Sequence, residues 1–342
     1  AIGDNGAFRY YTNELTYVMG QGLRPWYGVQ PRLMNEPLPE HTLQGGLGSV
    51  SYDYADNSTF IFQQPHNTIG MQNMQRFMEG RRWLHTNLWT GVHNEEGNDR
   101  NDAGRQLQGP RFNQSSCFNC HVNNGRSVAP TVRNQRLDTM AVRVGATGTD
   151  ANGQYLPHPI YGQALQMNGR SVTTGAMQNW GNGAWVADFV TSTVSLADGT
   201  QVELRKATIA FEGPEPEVHS IRQAQPLIGM GLLEAISDET ILSRVRTTPD
   251  ADGVLGTANY AYDPETGEVR LGRYGWKAGK VSLRHQVTNA ALLDMAVTSS
   301  VYPKLDCLAG PQNCDPTTAE PGLPDEAVTA MTQYLHLLGV PA

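Results

Sequence analysis

Two cysteines three apart, followed at once by a histidine, form the stretch of this chain whose order chemistry explains better than packing: Cys117-Phe118-Asn119-Cys120-His121. Each thiol of such a pair can add to one vinyl group of a haem, and the adjoining imidazole then lies beneath the iron as its proximal ligand. A structural zinc site would want a second ligand pair at matching distance, and none is found in the sequence. A thioredoxin-like redox pair would want a βαβ setting, whereas these flanks are polar and rich in Asn and Gly. The spacing predicts one covalent haem c on Cys117, Cys120 and His121.

An iron held by His121 has one axial position left, and its occupant decides between carrying electrons and binding a substrate. Met295, Met230, His285, His336 and, more remotely, Lys277 carry suitable donor atoms. Met295 comes first, on a predicted helix that faces inward with Leu292 and Leu293, although an ordinary core methionine reads the same way. Methionine ligation raises the potential and suits an electron carrier; an open iron admits peroxide, whose cleavage needs a base and a charge-stabilising donor. Glu234, Gln114, His285 and Arg273 have that chemistry. Arg126, just past the motif, matches a haem propionate or is a plain surface arginine. Trp276 can pack on the porphyrin edge or serve as a buried structural tryptophan. Asp250 and Asp252, with Gly253 behind them, are spaced as alternating calcium ligands, though a plain Asp-Gly turn fits as well and the full twelve-residue loop is missing.

These residues need elements to hold them. Met74, Phe77, Met78, Arg81 and Leu84 recur at helical intervals, which predicts a helix over 72–89. Further helices are predicted over 226–235, 238–246, 282–298 and 325–338, the last opening on Asp325 and Glu326, where a helix N-terminus favours acid. Leu196-Ala197-Asp198-Gly199-Thr200 reads as a hairpin turn inside a β insertion, and a second hairpin is expected between Gly48 and Phe62 across Asp56-Asn57.

At 342 residues the chain exceeds the size at which one core stops growing, and its 36 glycines and 20 prolines, with only 17% charged residues, predict many turns and long loops. A net charge of -8 and a pI near 5.6 argue against a nucleic-acid binder, which selects basic surfaces. No apolar run is long enough for a transmembrane helix. Haem c is attached outside the bacterial cytoplasm, so a periplasmic, cell-surface or secreted chain whose export signal has been removed is expected. In that oxidising setting Cys307 and Cys314 read as a local disulfide.

The run Phe112 to His121, continuing to Asn124-Gly125-Arg126, resembles the first haem site of the bacterial di-haem oxidoreductase family of peroxidases and thiol oxidoreductases. Segments 198–205, 226–236, 271–278 and 286–299 are similar to that family in the same order, so the resemblance covers about residues 74–342. It also supports Met295, which lies in the last segment. Members carry a second Cys-X-X-Cys-His toward the C-terminus, after a helix resembling 328–338; this sequence has one such motif, as a fragment or a mono-haem relative would.

The expected architecture is a mainly α cytochrome c-like haem core with a β-hairpin insertion and long irregular loops. Its parts are an irregular N-terminal region (1–70), a haem c domain (71–160), the β insertion (161–215) and a helical region (216–342) that packs on the haem domain. The expected role is redox, peroxidase-like, served by a redox partner protein or a second haem domain and by a small-molecule oxidant. A non-catalytic mono-haem electron carrier and a haem-bearing structural subunit are the alternatives.

Overall fold

The computed structural model describes residues 17–18, 22–23, 40–50, 61–66, 68–306 and 322–342. Strands β1 (Tyr17–Val18) and β2 (Gly22–Leu23) form a short antiparallel pair. The region beyond is organised by three helices, α1 (Gly70–Leu84), α4 (Leu283–Met295) and α5 (Asp325–Leu337), with two short ones between, α2 (Met230–Ala235) and α3 (Asp238–Leu242).

Met74, Phe77 and Leu84 of α1 share one face at helical spacing and bury it against Val328, Met331, Tyr334 and Leu335 of α5; Leu283, Val287 and Met295 of α4 close the same cluster. Gly80 lets α1 and α5 meet. A Cβ there would lie 2.6 Å from the Tyr334 Cβ and 2.7 Å from the Ala330 carbonyl carbon. Ser282 caps α4 by accepting the His285 N–H at 3.1 Å.

The remaining core is β. Strands β4 (Met140–Gly145) and β9 (Val218–Gln223) pair antiparallel, with Ala141 opposite Arg222 and Arg143 opposite Ser220. Met140, Val142 and Val144 point into a second apolar cluster with Tyr161, Leu165, Met167 and the base of β7 (Ala184–Ser195). Strand β7 runs back as β8 (Gln201–Phe211) with a register shift between Val186 and Asp188. Their turn is the one expected at 196–200: Gly199 takes φ +85°, and the Asp198 carboxylate accepts the Thr200 N–H at 2.9 Å. Smaller pairings join β3 (Arg111–Phe112), β5 (Asn168–Arg170) and β6 (Met177–Gln178), and β10 (Tyr260–Asp263) with β11 (Glu268–Leu271).

The mainly α core expected from the sequence is therefore corrected. The described residues hold five helices, two of them only six and five residues long, alongside small sheets and long irregular connections. Segments 140–145 and 218–223 are strands, so the stretch from Ile221 is extended before it is helical. The first helix stops at Leu84 rather than Trp89, because the Asn87 side chain accepts the Trp89 and Thr90 N–H groups and reverses the chain. Of the hairpin expected between Gly48 and Phe62, Val50 bridges Pro341 and Ile61–Gln63 is a 3-10 turn, with the link between them outside the described residues. Cys307 and Cys314 also lie outside them. No helix among the described residues is long and apolar enough to cross a membrane.

Candidate functional site

The Cys-X-X-Cys-His segment folds as two consecutive 3-10 turns, 117–119 and 122–124, the second turned by Asn123 and Asn124 at positive φ. The His121 N–H donates to the Cys117 carbonyl at 2.9 Å, which holds both thiols and the imidazole in one compact loop. Cys117 packs on the edge of the apolar cluster of α1, α4 and α5. Burial pushes the Cys117 thiol up to about 12 and raises Cys120 as well, with the Asp294 carboxylate adding to both shifts.

The His121 Nδ1 lies 2.7 Å from the Gln225 carbonyl oxygen. A carbonyl only accepts, so Nδ1 carries the proton and Nε2 carries the lone pair. Burial holds the ring below its usual pKa, partly offset by that hydrogen bond and by Asp294. A neutral imidazole fixed from behind by a backbone carbonyl, with Nε2 as its donor atom, is the condition a metal ligand requires.

Asp294, at the end of α4, ties this loop to the sheet. Its backbone carbonyl accepts the Asn113 N–H at 2.8 Å, and its carboxylate takes two hydrogen bonds from Arg143 Nη2, at 3.2 and 3.1 Å. Arg143 and Arg222 stand at diagonal positions on the face of the β4–β9 ribbon opposite the one that packs on the core. Lys280 belongs to the same group: burial and the charges of Arg143 and Arg222 bring it down to about 8. The Arg143 Nη1 is buried with no hydrogen-bond partner. Three cations gathered beside the Asp294 carboxylate, with the Asp306 carboxyl also within electrostatic reach of Arg143, leave a place that favours further anionic groups, and haem brings two carboxylates.

The other expected residues fall into two groups. Trp276 is half-exposed and donates through Nε1 to the Gln223 carbonyl at 2.8 Å, two residues from the carbonyl that His121 uses. Gln114 borders the motif, accepting from Asn119 Nδ2 at 2.9 Å and donating to the Asp138 carbonyl at 3.2 Å. Met295 is buried in the cluster that Cys117 borders, and Met230 packs against the same cluster. His285 is committed elsewhere, its Nε2 2.8 Å from the Tyr302 hydroxyl. His336 is hydrogen-bonded to Glu234 and holds that carboxyl below its usual range. Arg273 binds the carbonyls that end α2 and the Asp238 carboxylate, the post of a helix C-terminal cation. Arg126 and Lys277 are exposed. The Asp250 carboxylate accepts the Asp252 and Val254 N–H groups at 3.1 and 2.9 Å and pairs with Arg246, so its oxygens serve the turn.

Arg143, Arg222, Lys280 and Asp294 have no local sequence signature. Their signal is strand register, available only once 140–145 and 218–223 are recognised as partners.

A half-buried loop that presents two thiols and a neutral, carbonyl-anchored imidazole beside a cationic group has the donor set that a haem-binding redox site requires. The family model described as "Di-haem oxidoreductase, putative peroxidase" matches residues 40–224 and 217–330. This chain belongs to the di-haem oxidoreductase family, and with it comes a haem cofactor. No curated protein and no solved structure matches it.

Proposed function

We propose that the chain carries one haem c bonded through Cys117 and Cys120, with His121 on the iron, and works as an extracytoplasmic oxidoreductase with peroxidase-type chemistry. The observation that carries this reading is the His121 Nδ1–H bond to the Gln225 carbonyl, which leaves Nε2 as the donor. When bound, the haem supplies a one-electron couple and a place for a small oxidant.

The chain's own residues do the rest. Arg143, Arg222 and Lys280 offer cations to the propionates, with Arg126 at the outer edge. The Trp276 ring is held by its hydrogen bond to the Gln223 carbonyl and would pack on a porphyrin edge. Gln114, anchored to Asn119 and the Asp138 carbonyl, is the polar side chain beside the motif that can orient an oxidant. Glu234 and His336 are hydrogen-bonded to each other between α2 and α5, and α2 packs through Met230 and Leu233 on the cluster that Cys117 borders, so this pair is the candidate proton store. Electrons would arrive from a partner protein or a second haem domain.

One observation favours the rival reading, a non-catalytic carrier: Met295 lies in, and Met230 packs on, the apolar cluster that Cys117 borders, and either thioether would serve as a further iron ligand that raises the potential. The test is an optical and EPR spectrum of the oxidised protein before and after cyanide or peroxide. A high-spin iron that shifts supports the oxidoreductase; a low-spin, unresponsive iron selects the carrier.

A further inference from the structure

Behind the motif lies a buried polar cluster that the haem reading does not use. His85 at the end of α1 is fully buried, His93 is 6% exposed, and Glu95 reaches between them. One ring nitrogen of each histidine and one oxygen of Glu95 all lie within 4.8 Å of one another. Chain reversal at Asn87 brings them together: Thr86 bridges His93, and the Asn94 N–H returns to the His85 carbonyl at 2.8 Å.

The hydrogen bonds fix which atoms face the centre. Asn124 donates through Nδ2 to the Tyr334 hydroxyl at 2.6 Å and to the Phe62 carbonyl at 3.1 Å, so its Oδ1 is an acceptor. His85 Nε2, 3.3 Å from that oxygen, must then carry the ring proton. His85 Nδ1 is left as a buried lone pair that no hydrogen bond reaches. It faces Glu95 Oε1 at 3.8 Å, and the other oxygen of that carboxylate is ion-paired with Arg81. A carboxylate oxygen can donate nothing to the His85 lone pair; a cation between the two would satisfy that lone pair. Ligands bound to one transition ion at about 2.0–2.2 Å stand at most about 4.4 Å apart, so the 3.8 Å pair already fits and the 4.8 Å limit for all three closes by about half an ångström on binding. His93 Nδ1 accepts the Glu95 N–H at 3.1 Å, so its ring is also neutral, and it would exchange that hydrogen bond for a metal bond.

We infer that His85, His93 and Glu95 bind a divalent transition ion of the zinc or iron(II) class. Two imidazoles and a carboxylate suit these ions and leave further coordination positions open. Arg81 plays two opposed parts: it orients Glu95 from behind, as outer partners of metal ligands do, and its positive charge weakens the site. The affinity is therefore moderate. The ion would touch the haem loop through His85, whose ring stands edge-on to Phe118 with centroids 4.9 Å apart.

The test is calorimetric titration of the chelator-treated full chain with zinc alone, paired with elemental analysis. It is repeated in the Cys117→Ala, Cys120→Ala chain so that zinc held by motif thiols is counted out. One equivalent is expected in both chains, with affinity lowered at least tenfold by Glu95→Gln and by His93→Ala. If a variant's far-ultraviolet dichroism departs from the parent's, His93→Asn, which keeps a polar group, takes its place. Absence of a stoichiometric site in the cysteine-free chain, or binding unchanged by these substitutions, overturns the inference. Neither result depends on whether haem is attached.

Discussion

Gly80→Ala sets two physical effects against each other, and the fold decides the sign. In an exposed helix interior the change gains about 1 kcal/mol, because alanine loses less backbone entropy. Here the new methyl would stand 2.6 Å from the Tyr334 Cβ, closer still to the Ala330 carbonyl oxygen, and most of that obstacle is α5 backbone. Reaching ordinary contact with that oxygen demands that the two helices part by more than about 1 Å, a gap that forfeits about half or more of the dispersion at each contact along the seam. Phe77 and Tyr334, with ring centroids 4.7 Å apart, lie on that seam. Overpacking of this kind costs about 3 kcal/mol, so a net loss of about 2 kcal/mol remains. In denaturant unfolding the midpoint should fall with the slope unchanged. Tyr334 also holds Asn124, so the haem loop should loosen with it. A variant as stable as the parent, or more stable, would refute the α1–α5 crossing.

Further outcomes follow from the same geometry. His285 is neutral inside the fold, lowered to about 4 by burial first and Lys280 second. The folded state therefore binds fewer protons than the unfolded one below pH 6.5, and stability should drop as pH falls from 6.5 toward 4, by up to about 1.4 kcal/mol per pH unit. Denaturation at stepped pH should show that slope flattened in His285→Gln; an equal slope would contradict it. Arg143→Gln should cost about 1–2 kcal/mol through its two bonds to Asp294. With haem bound it should also lower the reduction potential, since removing a cation favours the oxidised state, whereas a raised potential would place the cations away from the haem. Met295→Ala should remove any near-infrared sulfur-to-iron band, and an unchanged band would exclude that ligand.

What could be read in the sequence was what chemistry or local turn geometry keeps contiguous. Haem attachment requires two thiols and an imidazole within five residues, so the motif is visible without a fold. Asp198-Gly199 supplies its own turn, so the β7–β8 hairpin was visible as well. Arg143 and Arg222 were not, because 79 residues separate them and only the β4–β9 register makes them neighbours. His85, His93 and Glu95 were hidden for a related reason: extending the first helix to Trp89 buries the signal of Asn87, which ends the helix and folds 93–95 back onto 85. Helical spacing in the sequence was real but short in reach, and glycine-rich connections occupy much of what it left over.

The central claim is tested most directly by the intact mass of the exported protein under denaturing conditions, compared with its Cys117→Ala, Cys120→Ala variant. The parent should weigh the polypeptide plus one haem and the variant the polypeptide alone. A bare polypeptide mass in a parent produced by cells that mature c-type cytochromes, or haem retained by the variant, would contradict it.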